Sequence, residues 1–247
     1  MKNIWKVKFA VLSLAFAQFV PALGSVVLGS TRIIYPSQDF QKSIEFTNSD
    51  EVPSVMQVWV DTGNESSTPA TADAPFVLTP PMFRIESKSR QTVRIVFTGE
   101  ELPTDRESIF YFNSVQIPPA TSGEEDQNKM LILLRNRIKL FFRPKTIDGS
   151  AEQSIKQLQF SLEQEGQDWR ISAKNKSGYF VTLTKGVVKQ EKSHDIAVEM
   201  IAPYTEKNWL IQNPGEVPKF PIKLELNYVD DFGGNKQVEY EILPTIK

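Results

Sequence analysis

The run at residues 130–144, MLILLRNRIKLFFRP, constrains the fold of this chain more than any other segment. Read with a period of two, it is one long strand. Met130, Ile132 and Leu134 fall on one face. Leu131 and Leu133 fall on the other, followed there by Arg135, Arg137, Lys139 and Arg143. The strand is apolar on both faces at its start and strongly basic further along. An apolar strand of that length left at a sheet edge invites pairing with another chain. Most proteins suppress that hazard, so a chain that keeps it points to use of the edge in binding a partner strand.

The N-terminus reads as a secretory signal over residues 1–24. Lys2, Lys6 and Lys8 form a positive region, and FAVLSLAFAQFV at 9–20 is an apolar stretch too short to span a bilayer. Pro21 ends it, and Ala22-Leu23-Gly24 places small residues where a signal peptidase reads them, so cleavage after Gly24 is expected. Loss of the three lysines takes the formal charge from −2 to −5. A mildly acidic surface argues against nucleic acid as the partner. No later stretch is long and apolar enough for stable membrane insertion. The chain contains no cysteine, which excludes a disulfide scaffold, thiolate zinc and a cysteine nucleophile. A secreted chain of this kind must be held together by its core.

Beyond the signal, short strands alternate with turn residues. Candidates lie at 26–35, 43–47, 55–60, 91–97 and 109–117, ahead of the long strand at 130–144. A proline- and glycine-bearing stretch at 143–151 (RPKTIDGSA) reads as a linker. A second series follows at 158–162, 169–173, 179–183, 195–201, 222–229 and 237–242, the last two joined by a hairpin at 231–235 (DFGGN). No amphipathic helix of convincing length is evident. The pattern predicts an all-β chain of two β-sandwiches in series, residues 25–146 and 147–247.

Signals for enzyme chemistry are poor. His194 is the only histidine, and it lies in a charged stretch, EKSHD, where a solvated surface group is expected. No nucleophile elbow, histidine pair or phosphate loop occurs, and neither a cofactor nor a metal is expected. Asp230 and Asp231 read as turn residues. Asn64-Glu65-Ser66 and Asn175-Lys176-Ser177 match glycosylation acceptors. The informative polar residues are cations inside strands. Arg32 precedes Ile33-Ile34, and Lys139 sits between Ile138 and Leu140. Each either snorkels to solvent or converges with the other on an anion, a carboxylate being the obvious candidate. Spacing alone leaves both readings open.

Several ordered motifs resemble the periplasmic chaperones of the chaperone–usher pilus pathway. STRIIYP at 30–36 is similar to that family's first-strand motif, and LTPPMFRI at 78–85 to its threonine-proline-proline segment. LPTDRESIFYFN at 102–113 with IPP at 117–119, RIKLFFRP at 137–144, and DFGG at 231–234 match in order. The resemblance implies two immunoglobulin-like domains set at an angle with a cleft between them. It implies a binding protein, not an enzyme, which lends an edge strand to a pilus subunit that lacks one and delivers it to an outer-membrane usher.

Carried over residue by residue, Arg32 and Lys139 would anchor the subunit's C-terminal carboxylate. Met130, Ile132 and Leu134 would enter the subunit's groove, with Asn128 a weaker continuation of that row. Glu107, Arg143 and Asp231 match a salt-bridge trio between the domains. Burial of three such apolar side chains, at roughly 1.5–3 kcal/mol each, would supply about 5–9 kcal/mol before ordering costs. The 120–127 segment is somewhat long, yet far from the extended loop of the long-loop subfamily, and with the lack of a cysteine pair it favours the short-loop subfamily. Leu131 and Leu133 depart from the family pattern. An unloaded edge of this kind is also able to cap itself in a dimer. The alternatives are a structural pilin or adhesin subunit, against which both strand series look complete, and a carbohydrate-active enzyme, against which candidate acid/base sites are sparse.

Overall fold

The structure is a computed structural model that describes residues 26–117, 133–215 and 217–244. The first domain holds β1 (Val26–Leu28), β2 (Arg32–Pro36), β3 (Lys42–Asn48), β4 (Ser54–Asp61), β5 (Phe76–Thr79), β6 (Met82–Ile85), β7 (Arg90–Phe97), β8 (Ser108–Ile117) and β9 (Leu134–Arg143). They form two sheets, ordered β1-β3-β7-β5 and β2-β9-β8-β4-β6. Alternating apolar residues from both sheets, among them Ile33, Tyr35, Phe46, Val93, Ile95, Phe112 and Leu140, close one core. The second domain begins with a short helix, α1 (Ala151–Lys156), followed by β10 (Gln159–Glu165), β11 (Asp168–Lys174), β12 (Leu183–Lys189), β13 (Ser193–Ile196), β14 (Glu206–Ile211), β15 (Ile222–Val229) and β16 (Asn235–Ile242). Its sheets, β10-β11-β14 and β13-β12-β15-β16, enclose a separate core around Trp169, Ile171, Ile201, Leu224 and Leu226. The molecule is two immunoglobulin-like β-sandwiches.

The stretch at 26–35, expected as one strand, is two strands in different sheets. β1 pairs antiparallel with β3, whereas β2 pairs parallel with β9. The reason lies in parity. Val26 and Leu28 turn inward at even positions, but Ile33 and Tyr35 turn inward at odd ones. A regular pleat cannot bury both sets, so the chain crosses between sheets at 29–31. Two second-domain strands also differ from expectation. Val181 and Ile201 meet only in an isolated bridge, while β12 starts at Leu183 and β13 ends at Ile196. The backbone of Phe180 is drawn instead toward the first domain, its N–H donating to Glu107 Oε2 at 2.8 Å. Strand β14 escapes the hydropathy pattern because lysine, asparagine and glutamate interrupt it. Helix α1 is set by Ser150, whose hydroxyl caps it by accepting from the Gln153 N–H.

Candidate functional site: a half-open strand between two domains

Strand β9 has two halves with different neighbours. Along its whole length it pairs antiparallel with β8, from Gln116 opposite Leu134 to Ser108 opposite Phe142. On its other side β2 covers only the second half, from Arg32 opposite Lys139 to Pro36 opposite Arg143. From Leu134 to Ile138 that side has no ladder partner among the described residues. Even-numbered side chains of this open half face the sandwich interior. Ile138 packs against the core, and Leu134 is 56% exposed. Together with Asn136 they line a cleft whose other wall is Val26 and Leu28 of β1. Leu133 is also exposed. Asn128, Met130, Leu131 and Ile132 lie outside the described residues.

The odd-numbered face carries the cations, and they are not equivalent. Arg137 forms a bidentate pair with Asp61, at 2.6 Å to Oδ2 and 2.8 Å to Oδ1, and also donates to the Asn64 carbonyl at 3.2 Å. Its guanidinium lies 4.1 Å over the Tyr111 ring. Arg135 stacks 5.0 Å over Trp59 and donates to Asn113 Oδ1, Ser67 Oγ and the Glu65 carbonyl. Asp61 is fully buried and accepts further hydrogen bonds from Ser67, Asn113 and the Gly63 N–H. Burial opposes its charge, yet the bonds from Arg137, Ser67 and Asn113 outweigh burial and hold its carboxyl below the ordinary range. In sequence these residues form a basic stripe along one strand face. Arg137 is paired directly with the buried aspartate that ends the apolar run VMQVWVD, and Arg135 is held beside it through Asn113 and Ser67.

Lys139 is the exception. No hydrogen bond or ion pair engages its ammonium among the described residues. Its side chain is half-buried, and its pKa is lowered by burial and then by the neighbouring charge of Arg32. Arg32 sits opposite it, on the adjoining parallel strand, 5.6 Å over the Phe141 ring. Arg32 donates from Nη1 to the Val229 carbonyl at 3.0 Å, but its Nε is buried without a partner among the described residues. Burial is the largest influence on Arg32 and lowers its pKa, opposed by Asp231, Asp230 and Glu107. Two desolvated cations with unused donors form a candidate anion site. Planar Arg32 and the point charge of Lys139 suit the two oxygens of a carboxylate.

At the far end of β9, Arg143 bridges the domains. Its Nε meets Glu107 Oε1 at 2.7 Å, and Nη1 and Nη2 meet the Asp231 oxygens at 2.7 and 2.8 Å. Glu107 is 3% exposed, and burial raises its pKa despite Arg143. Burial also opposes charge on Arg143, but Asp231 and Glu107 more than offset it and raise its pKa. A backbone bond from Glu107 N–H to the Gly178 carbonyl (2.8 Å) and one from Tyr204 O–H to the Asp105 carbonyl (3.1 Å) join the same loops. Beside this junction is a pocket of about 260 Å³ that includes Arg32, Arg143, Tyr179 and Thr182. The Thr182 hydroxyl is buried without a hydrogen-bond partner among the described residues, a feature with no sequence signal.

Other expectations shift. His194 is not simply solvated: it is half-buried, with its ring edge-on to Trp169 at 5.4 Å. Asn175 is 1% exposed and donates to the Tyr179 and Ala202 carbonyls, so its triplet is unavailable for modification. Among the described residues no cluster of three or more histidines or acidic residues is placed to hold a metal, and no helix is long and apolar enough to cross a membrane.

Comparison with known proteins decides the family. Residues 25–148 match the family model described as pili and flagellar-assembly chaperone, PapD N-terminal domain. Residues 153–240 match the pili assembly chaperone PapD C-terminal domain. The chain belongs to the pilus-assembly chaperone family. It is 31% identical over 239 residues to the chaperone protein FimB/FhaD of Bordetella pertussis, covering 93% of this chain and 95% of that one. It is 33% identical over 222 residues to the chaperone protein HifB of Haemophilus influenzae, 88% of each. Among solved structures, it is similar to the complex of the Salmonella enterica SafA pilin with the SafB chaperone. There the TM-score is 0.71 at 26% identity, covering 90% of this chain and 99% of that one. The half-open strand, with Arg32 and Lys139 at the point where it opens, is the candidate binding site.

Proposed function

We propose that this chaperone works in the periplasm, after removal of residues 1–24, and captures pilus subunits by lending them β9. The open edge of Leu134–Ile138, continued by Ile132, Met130 and Asn128, pairs with the subunit's backbone, and Met130, Ile132 and Leu134 enter its apolar groove. Arg32 and Lys139 hold the subunit's C-terminal carboxylate. Arg143, with Glu107 and Asp231, fixes the orientation of the domains around the cleft. The loaded chaperone then passes the subunit to an outer-membrane usher without nucleotide or cofactor.

The observation that carries this reading is the placement of Arg32 opposite Lys139 at the point where β2 stops and the β9 edge opens. A strand laid on that edge ends against both cations. The Salmonella complex pairs a pilin with a chaperone, which supports a pilin as the partner here. Co-expression with candidate subunits tests the reading. The wild-type chain is expected to co-purify with its subunit at one-to-one stoichiometry, and Lys139→Glu to fold normally and lose it. Normal capture by folded Lys139→Glu would remove the anchor assignment.

A further inference from the structure

Arg135, Arg137 and Lys139 share one face of β9 at two-residue steps, about 6.6–6.8 Å apart along a strand. That spacing poses a problem for any strand-lending mechanism. A guest slipped by one residue turns its apolar side chains to the wrong face and is rejected by packing. A guest slipped by two residues keeps every side chain on its proper face. Alternation is blind to that error. Only the point at which the guest's end is gripped can exclude it, and three cations in a row offer three such points.

We infer that Asp61 is a register-determining residue: it silences Arg135 and Arg137 so that Lys139, with Arg32, is the sole carboxylate grip on this face. The geometry supports this in detail. Arg137 spends its donors on both oxygens of Asp61 and on the Asn64 carbonyl. Arg135 spends its donors on Asn113, Ser67 and the Glu65 carbonyl. Asn113 and Ser67 in turn donate to Asp61, so both arginines are tied to one buried carboxylate. Each guanidinium also lies over an aromatic ring, Arg135 5.0 Å from the centre of Trp59 and Arg137 4.1 Å from that of Tyr111. Lys139 stands one step further along with no such partner among the described residues. Asp61 touches no guest atom; it acts through the arginines.

This inference rests on the carboxylate-anchor reading above, and the test separates the two. The chain has no cysteine, so Asn136→Cys on the open edge gives a unique cross-linking point. The probe is a synthetic alternating Val/Thr peptide carrying one cysteine at successive positions from its C-terminus, as free acid or as amide. Disulfide formation requires close approach of the two residues and so reports register. In the otherwise wild-type chain one position should cross-link, and the acid should bind about tenfold tighter than the amide, as expected for a charge-assisted grip. Asp61→Asn should add a second cross-linked position displaced by two residues. Lys139→Gln, a half-exposed site safe for folding, should lose the acid preference without any displaced register, because Arg137 remains occupied. A folded Asp61→Asn chain with one unshifted register would overturn the inference alone. So would a Lys139→Gln chain that keeps the acid preference and shifts by two. Equal binding of acid and amide by the starting chain would remove the anchor reading and this inference together.

Discussion

Arg32 and Lys139 are register partners on adjoining parallel strands, two like charges side by side with no carboxylate bonded to either among the described residues. Burial and then the charge of Arg32 press Lys139 to release its proton below its ordinary 10.5. The charged form therefore costs folding stability, and that cost disappears as pH rises through the lowered value toward 10.5. Binding has the opposite sign, because a carboxylate needs the ammonium charged. Capture should weaken as pH rises from below 10.5, and Lys139→Arg, which stays charged, should flatten that loss. Parallel pH profiles of affinity for the two chains would contradict the role given to Lys139.

The Arg143 bridge predicts a non-additive mutant cycle. Arg143→Met leaves Glu107 buried and unpaired and should destabilise the fold by about 3–5 kcal/mol. The double change Glu107→Gln/Arg143→Met removes the stranded charge and should recover much of that loss. Urea denaturation of the four chains measures the coupling.

Close backbone approach at the domain junction predicts a glycine requirement. A Cβ on Gly178 would lie 2.5 Å from the Asp105 carbonyl oxygen and 2.7 Å from Ile147 Cγ2. The backbone oxygen cannot rotate away, so Gly178→Ala should cost about 1–3 kcal/mol and prise the domains apart. Gly29→Ala, whose nearest contact would be an ordinary 3.8 Å, serves as the control. Thermal unfolding and small-angle scattering read stability and shape.

Asp61 predicts an acid limb. Its folded carboxyl titrates below the ordinary 3.8, because bonds from Arg137, Ser67 and Asn113 outweigh its burial. Such a group contributes stability above the unfolded value that is lost as pH falls from 3.8 through the lowered one. Asp61→Asn should be less stable at neutral pH and show a shallower decline in acid. An unchanged acid slope would show that other carboxylates govern it.

Much of the architecture was legible because period-two patterning reports burial directly. The strands at 43–47, 91–97 and 109–117 follow from alternating Ile44 and Phe46, Val93 and Ile95, and Phe110 and Phe112. The break at 29–31 was also legible in principle, through the parity change between Val26 and Ile33, but an unbroken apolar count concealed it. The convergence of Arg32 and Lys139 follows from the family resemblance and not from their spacing, since parallel pairing across more than a hundred residues leaves no local trace. The silencing of Arg135 and Arg137 was hidden for the same reason: Asp61, Ser67 and Asn113 reach them from β4, its following loop and β8. His194 misled because the charged residues around it gave no hint of Trp169 beneath.

The crossing at 29–31 has a mechanical consequence. Because β2 begins at Arg32 in line with the lane beside Leu134–Ile138, which no described residue fills, any strand filling that lane meets the end of β2 head-on. The chain thus builds its own buffer stop, so a long tail cannot thread through and must finish there.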